Sequence, residues 1–165
     1  MKGDFKITLQ FLKDIGACRD GQREFQKAFP EGAGYQEVLD RCANEGRPDF
    51  GKWLLNKLGP TDDIRTFEEN VEEPERIIIF AGNLEFKLGV SAKLIVSGCG
   101  IEAGEGIEAG CGIKAGEGIE AGEGYGVFAG IHIKISLWCR FAIVSAKQKP
   151  KNLISGYWVE TDEKL

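Results

Sequence analysis

An aliphatic or aromatic residue returns every six positions along the middle of this chain, and no other feature restricts the possible fold as tightly. The series runs Ile78, Leu84, Val90, Val96, drops one residue, and resumes as Ile101, Ile107, Ile113, Ile119, Tyr125, Ile131, Leu137. The most regular units read Ile-Glu-Ala-Gly-Glu-Gly, as at Ile101–Gly106 and Ile119–Gly124. Side chains alternate along a strand, so the first and third residues share one face and the second and fifth face water. A small alanine at the third position suits a narrow interior. Glycine at the fourth and sixth positions lets the backbone turn a corner, including at positive φ. One such unit cannot bury its apolar residue alone, whereas stacked units bury a continuous column. The period therefore predicts a parallel β-solenoid over residues 77–136.

With three hexads per turn, residues 18 apart stack at the usual strand spacing of about 4.8 Å. Ile101 would then lie under Ile119 and Leu137, and Ile113 under Ile131; two- and four-sided coils share the same period. Such a short coil needs both ends covered. From Ile131 to Val144 the sequence alternates apolar and polar, and Leu153–Glu160 can return as a second strand. Residues 137–165 are therefore expected to form a hairpin cap. Trp138, Tyr157 and Trp158 near its edge make homodimerisation an expectation.

The segment before the coil reads differently. Residues 1–60 predict a helical module of three short helices. Asp20 would cap a helix containing Phe25, Ala28 and Phe29; a second would run from Tyr35 to Asn44; Asp49 would cap a third carrying Phe50, Trp53, Leu54 and Leu58. Residues 61–76, rich in glutamate (Glu68, Glu69, Glu72, Glu73, Glu75), read as an acidic connector. The fold class is thus α+β: helical module, connector, solenoid, hairpin.

Composition narrows the function. The net charge of −5 comes from a negative stretch between a nearly neutral start and a basic tail. That middle should repel nucleic acid, so no direct nucleic-acid partner is expected, although Lys147, Lys149 and Lys151 could touch phosphate. No apolar run is long enough to cross a bilayer, and no secretory leader is evident. Five cysteines without a CxxC pair fit a reducing cytoplasm, most of them as small buried hydrophobes.

The outward positions carry the sharpest signal. Glu102, Glu105, Glu108, Glu117, Glu120 and Glu123 all occupy positions two and five, and the three-sided register stacks Glu102 on Glu120 and Glu105 on Glu123. Regular carboxylates can be a soluble surface kept by duplication, or they can imitate the phosphates of a nucleic-acid strand for a protein with a basic groove. Calcium is disfavoured, because the Asp-bearing nonapeptide of calcium-binding solenoids is missing. No metal or cofactor site and no catalytic set emerges. The single histidine, His132, reads as a surface strand residue rather than a general base.

The run Gly100–Gly124 resembles hexapeptide β-solenoid proteins of bacteriophage and prophage genomes. The stretches Phe11–Gly21 and Arg47–Leu55 look like a helical module that accompanies such small phage proteins. That resemblance implies a protein made in an infected bacterium, and small acidic phage proteins include inhibitors of host defence such as anti-CRISPR proteins. The leading expectation is a non-enzymatic inhibitor whose glutamates occupy the basic groove of a host defence or nucleic-acid-binding complex. A structural solenoid that self-associates or joins a virion is the second. An acyltransferase, the chemistry of some hexapeptide solenoids, is the third and would need His132.

Overall fold

A computed structural model describes residues 5–161. At the N-terminal side a two-residue strand, β1 (Lys6–Ile7), leads into α1 (Leu9–Asp14) and α2 (Arg19–Ala28). The antiparallel partner of β1, β2 (Ala33–Gly34), follows, and then α3 (Tyr35–Asn44) and α4 (Pro48–Leu58). Glu37 accepts a hydrogen bond from the Gly34 N–H at 3.2 Å and so fixes the start of α3. Pro48 occupies the first turn of α4, where its missing N–H is no loss. The bounds of α3 match the sequence expectation. Two expected caps do not: Cys18 rather than Asp20 precedes α2, and Arg47 rather than Asp49 precedes α4. In each case the helix begins earlier, and the aspartate sits in its first turn.

From Ile64 onward the described residues coil as a parallel solenoid of about five turns. The first turn consists of β3 (Ile64–Phe67) and both limbs of β4 (Val71–Phe80), the second of β5 (Asn83–Phe86) and both limbs of β6 (Val90–Ser97). The third is β7 (Ile101–Ala103), β8 (Ile107–Ala109) and β9 (Ile113–Ala115). The fourth is β10 (Ile119–Glu120), β11 (Val127–Ala129) and β12 (Ile143–Ala146). A partial last turn adds β13 (Leu153–Ser155) and β14 (Tyr157–Glu160).

The cross-section is three-sided. Face one is β3-β5-β7-β10. Face two joins the first limbs of β4 and β6 to β8, β11 and β13, and face three joins their second limbs to β9, β12 and β14. The expected 18-residue step holds for Ile101 on Ile119 and for Ile95 on Ile113. The core is a set of inward columns. On face three Ile78, Ile95, Ile113, Val144 and Trp158 stack in register, and Ile95 and Ile113 have no exposed surface. Burying each such isoleucine contributes roughly 1.5–3 kcal/mol.

Three expectations change. First, residues 61–76 are no connector: they hold β3 and the start of β4, and the coil begins two sides before Ile78. The many glutamates there face water from an edge strand, where charge discourages pairing with another chain. Pro74 sits in the same strand at its register shift, where the missing donor is tolerated. Second, the hairpin is absent: β12 and β14 pair in parallel, as do β11 and β13, so the C-terminal strands continue the coil. Third, Ile131 and Leu137 do not stack on the column. Val144 takes the place over Ile113, and residues 131–141 form an excursion ending in a short 3-10 turn and α5 (Trp138–Phe141). Gly130 explains the departure. It adopts φ 72°, and a Cβ there would lie 2.3 Å from that of Ala142, so the entry and exit of the excursion pinch together.

Repeat glycines serve close approach more than positive φ. None from Gly98 to Gly122 has a left-handed φ. Instead, a Cβ on Gly98, Gly104 or Gly122 would fall 2.0, 2.3 or 1.8 Å from a carbonyl oxygen of the adjacent turn. Stacked corners can approach only where that atom is missing.

The helical module lies against the outer surface of face three at its N-terminal end. Ile79 and Val96, which point outward there, are buried in a second core with Leu39, Leu54 and Leu55. Gln36 of α3 completes the seam. Its side-chain amide donates to the Ile79 carbonyl at 2.9 Å and accepts from the Ala81 N–H at 3.0 Å, standing in for a further strand on the open edge of β4. Arg65 makes a bidentate pair with Asp40 at 3.0 Å and lies 4.6 Å from the Phe80 ring centre. Among the described residues no helix is long and apolar enough to cross a membrane.

Candidate functional site

The second position of a face-one hexad must point outward, because its neighbours on both sides are buried. Register then decides what lines up. Glu85 pairs with Glu102 across β5 and β7, and Glu102 with Glu120 across β7 and β10. Three carboxylates thus form one row at strand spacing, spanning roughly 10 Å. Thr66 of β3 heads the row, its hydroxyl 3.5 Å from Glu85, and Lys87 approaches Glu85 at 3.3 Å.

Glu105 and Glu123 lie at the corner between faces one and two. There the Gly122 N–H donates to the Glu105 carbonyl at 3.0 Å, and beyond it the step lengthens from Ile101–Ile119 to Ile107–Val127, so the 18-residue register of Glu105 and Glu123 is not continued along the corner. Glu108 is on face two between Ser91 and Phe128 in register, with no carboxylate beside it in that row. Glu117 is at the opposite corner, where its N–H donates to the Cys99 carbonyl at 3.1 Å. Of the six expected glutamates, Glu102, Glu120 and Glu123 line one open surface; Glu105 and Glu117 lie at the two corners of face one, and Glu108 lies on face two. Glu85, which the expected set lacks, belongs with these three; its position directly after Leu84 in the six-residue series is the signal that identifies it.

A basic segment borders this surface. Residues 148–152 pass above β10 and, with Glu102, Glu120 and Glu123, line an open trough of about 750 Å³ that also includes Lys149 and Lys151. The field over face one is therefore negative along the strands and turns positive at the C-terminal rim.

The expected dimer residues separate. Trp158 points inward over Val144 and packs on the core. Trp138 donates its indole N–H to the Ile133 carbonyl at 3.0 Å inside the excursion. Tyr157 is 48% exposed and neighbours exposed Ile154 and Val159 on the last-turn strands. His132 is exposed on the excursion, and all five cysteines are free thiols.

Together these features define a class: a short three-sided β-solenoid fronted by a helical module, with a carboxylate row on one face. A family model described as the YdhT N-terminal domain matches residues 1–58, the helical module up to the end of α4. No curated protein and no solved structure matches the chain.

Proposed function

We propose that this protein is a non-catalytic, phage-type inhibitor that binds a basic groove on a bacterial nucleic-acid-targeting complex in the host cytoplasm, in the manner of those anti-CRISPR proteins that mimic nucleic acid. The row Glu85–Glu102–Glu120 supports this reading. Like charges in register destabilise a strand stack, and among the described residues neither Glu102 nor Glu120 makes an ion pair. A groove of lysines and arginines evolved for phosphates would neutralise the row on binding. Such contacts speed association and weaken with salt.

The test is a tagged pull-down from bacterial lysate with wild type and a variant carrying lysine at Glu85, Glu102, Glu105, Glu120 and Glu123, read by mass spectrometry. Wild type alone should retain a nucleic-acid-handling complex, and 1 M salt should release it. Equal recovery by a folded variant would sink charge mimicry.

Self-association is a second reading, favoured by exposed Ile154, Tyr157 and Val159 on the last turn. Light scattering would then show a dimer in wild type and a monomer in Val159→Lys. A monomer at high micromolar wild-type concentration would remove it.

A further inference from the structure

The helical module contains a cleft that owes nothing to the coil, since every residue lining it lies between Leu12 and Leu54. Its volume is about 360 Å³, within the roughly 300–1,000 Å³ range of small-molecule sites. Phe25, Phe29, Val38, Trp53 and Leu54 give it an apolar wall. The Cys42 thiol in that wall is pushed up to about 11 by burial, so it stays protonated at neutral pH.

Charges ring the mouth, and they are unequally committed. Glu45 holds Arg41, whose Nε lies 2.7 Å away, Asp49 holds Lys52 at 3.3 Å, and Glu24 lies 3.5 Å from Arg23. Arg47 makes no ion pair among the described residues, and its guanidinium sits 4.6 Å from the Phe50 ring centre. Two helix starts meet at the same place. The start of α4 has no side-chain cap bond, and that of α2 has only the weakly accepting Cys18 thiol, 3.4 Å from the Gly21 N–H. They touch, because a Cβ on Gly21 would lie 3.4 Å from the Phe50 ring. Each helix start carries a partial positive charge. Asp20 and Asp49 in the first turns offset that charge, which leaves Arg47 as the uncommitted positive group at the mouth of an apolar chamber, an arrangement that suits an apolar molecule bearing a single negative group.

We infer that the cleft binds a small amphipathic anion, such as a medium-chain or aryl carboxylate, its body against the aromatic wall and its carboxylate at Arg47. The family match ends where this module ends, so the cleft travels with a unit distinct from the solenoid. The inference is therefore independent of the carboxylate row. A charged hydrogen bond of about 1.5–3 kcal/mol places the Arg47 contribution at roughly tenfold or more in affinity.

Titration calorimetry on the full chain with decanoate and with decanol tests it. Wild type should bind one decanoate and bind decanol at least tenfold more weakly. Arg47→Gln should erase that preference and Arg47→Lys should keep most of it. Ala28→Trp, which fills the cleft, should abolish both, with circular dichroism confirming that each variant is folded. Equal affinity for the acid and the alcohol would overturn the anion assignment. Binding that survives Ala28→Trp would place the probe elsewhere and overturn the site. Absence of binding by wild type would also overturn it, and would leave the cleft as an anchor for a partner's apolar side chain.

Discussion

Replacing Glu102 by glutamine should stabilise the protein, which is unusual for a residue held in the middle of a sheet. Glu102 lies in register between Glu85 and Glu120. Two unit charges about 4.8 Å apart repel by about 0.9 kcal/mol in water, so two neighbours approach about 1.7 kcal/mol. Lys87 beside Glu85 and outward splaying of the side chains reduce this to roughly 1 kcal/mol in dilute buffer. Glutamine keeps the length and the outward pose and removes the charge. For a chain of this size that gain raises Tm by about 2–4 °C. Thermal unfolding followed by circular dichroism at 20 mM and 1 M sodium chloride is the assay. At 1 M salt the screening length falls to about 3 Å and most of the gain should disappear. A Tm at or below wild type in dilute buffer would mean the carboxylates do not sense one another, and the electrostatic account of the row would fail.

Gln36→Leu should lower stability by about 1–3 kcal/mol in urea titration, because the Ile79 carbonyl and Ala81 N–H lose their partners beneath the helices. Gly122→Ala should cost at least the 1–3 kcal/mol of an overpacked site, since its Cβ would meet the Gly104 carbonyl; an unchanged Tm would show that the corner has slack. Lys114 lies in the outward row of face three between Val96 and Ser145, and burial, then Lys52, hold its pKa below the usual lysine value. The unfolded chain thus binds the proton more tightly, so stability should rise with pH from the folded toward the unfolded pKa. Lys114→Met should be more stable than wild type at pH 7 and lose that alkaline rise in pH-dependent unfolding. With a disulfide reagent at pH 8, exposed Cys18 and Cys139 should react well before Cys42, whose thiol is held at about 11; early labelling of Cys42 would show that the cleft opens.

The coil was legible because its constraint is local and repeated. Each isoleucine at the first position and alanine at the third must face inward whatever the distant sequence does, so register follows from counting. The first turn was hidden for the same reason inverted. Ahead of Ile78 the outward residues are glutamates and a proline, and their polarity outweighed the inward Val71. The last turns were hidden by the excursion. Ile131, Ile133 and Ile135 alternate as a strand would, yet the left-handed Gly130 sends them out of the stack, and Ile135 ends 77% exposed. Nothing within a six-residue window reports that a chain will leave and rejoin a coil 13 residues later. The carboxylate row followed from the register, but its basic rim needed the path of residues 148–152. The cleft was invisible because it depends on how four helices pack, which their individual patterns do not encode.

The seam formed by Gln36 has a consequence for how this architecture can change. Because the amide closes the edge of β4 and the module is fastened to the first two turns, the beginning of the coil is anchored. The interior turns recognise only their neighbours. An 18-residue block duplicated between β7 and β10 would meet the same inward columns above and below, so it could enter without disturbing the anchored end. Each such block would lengthen the body by about 4.8 Å and add one glutamate to the row. Gene duplication can therefore adjust the reach of the charged face in fixed increments, like a ruler with one end nailed down.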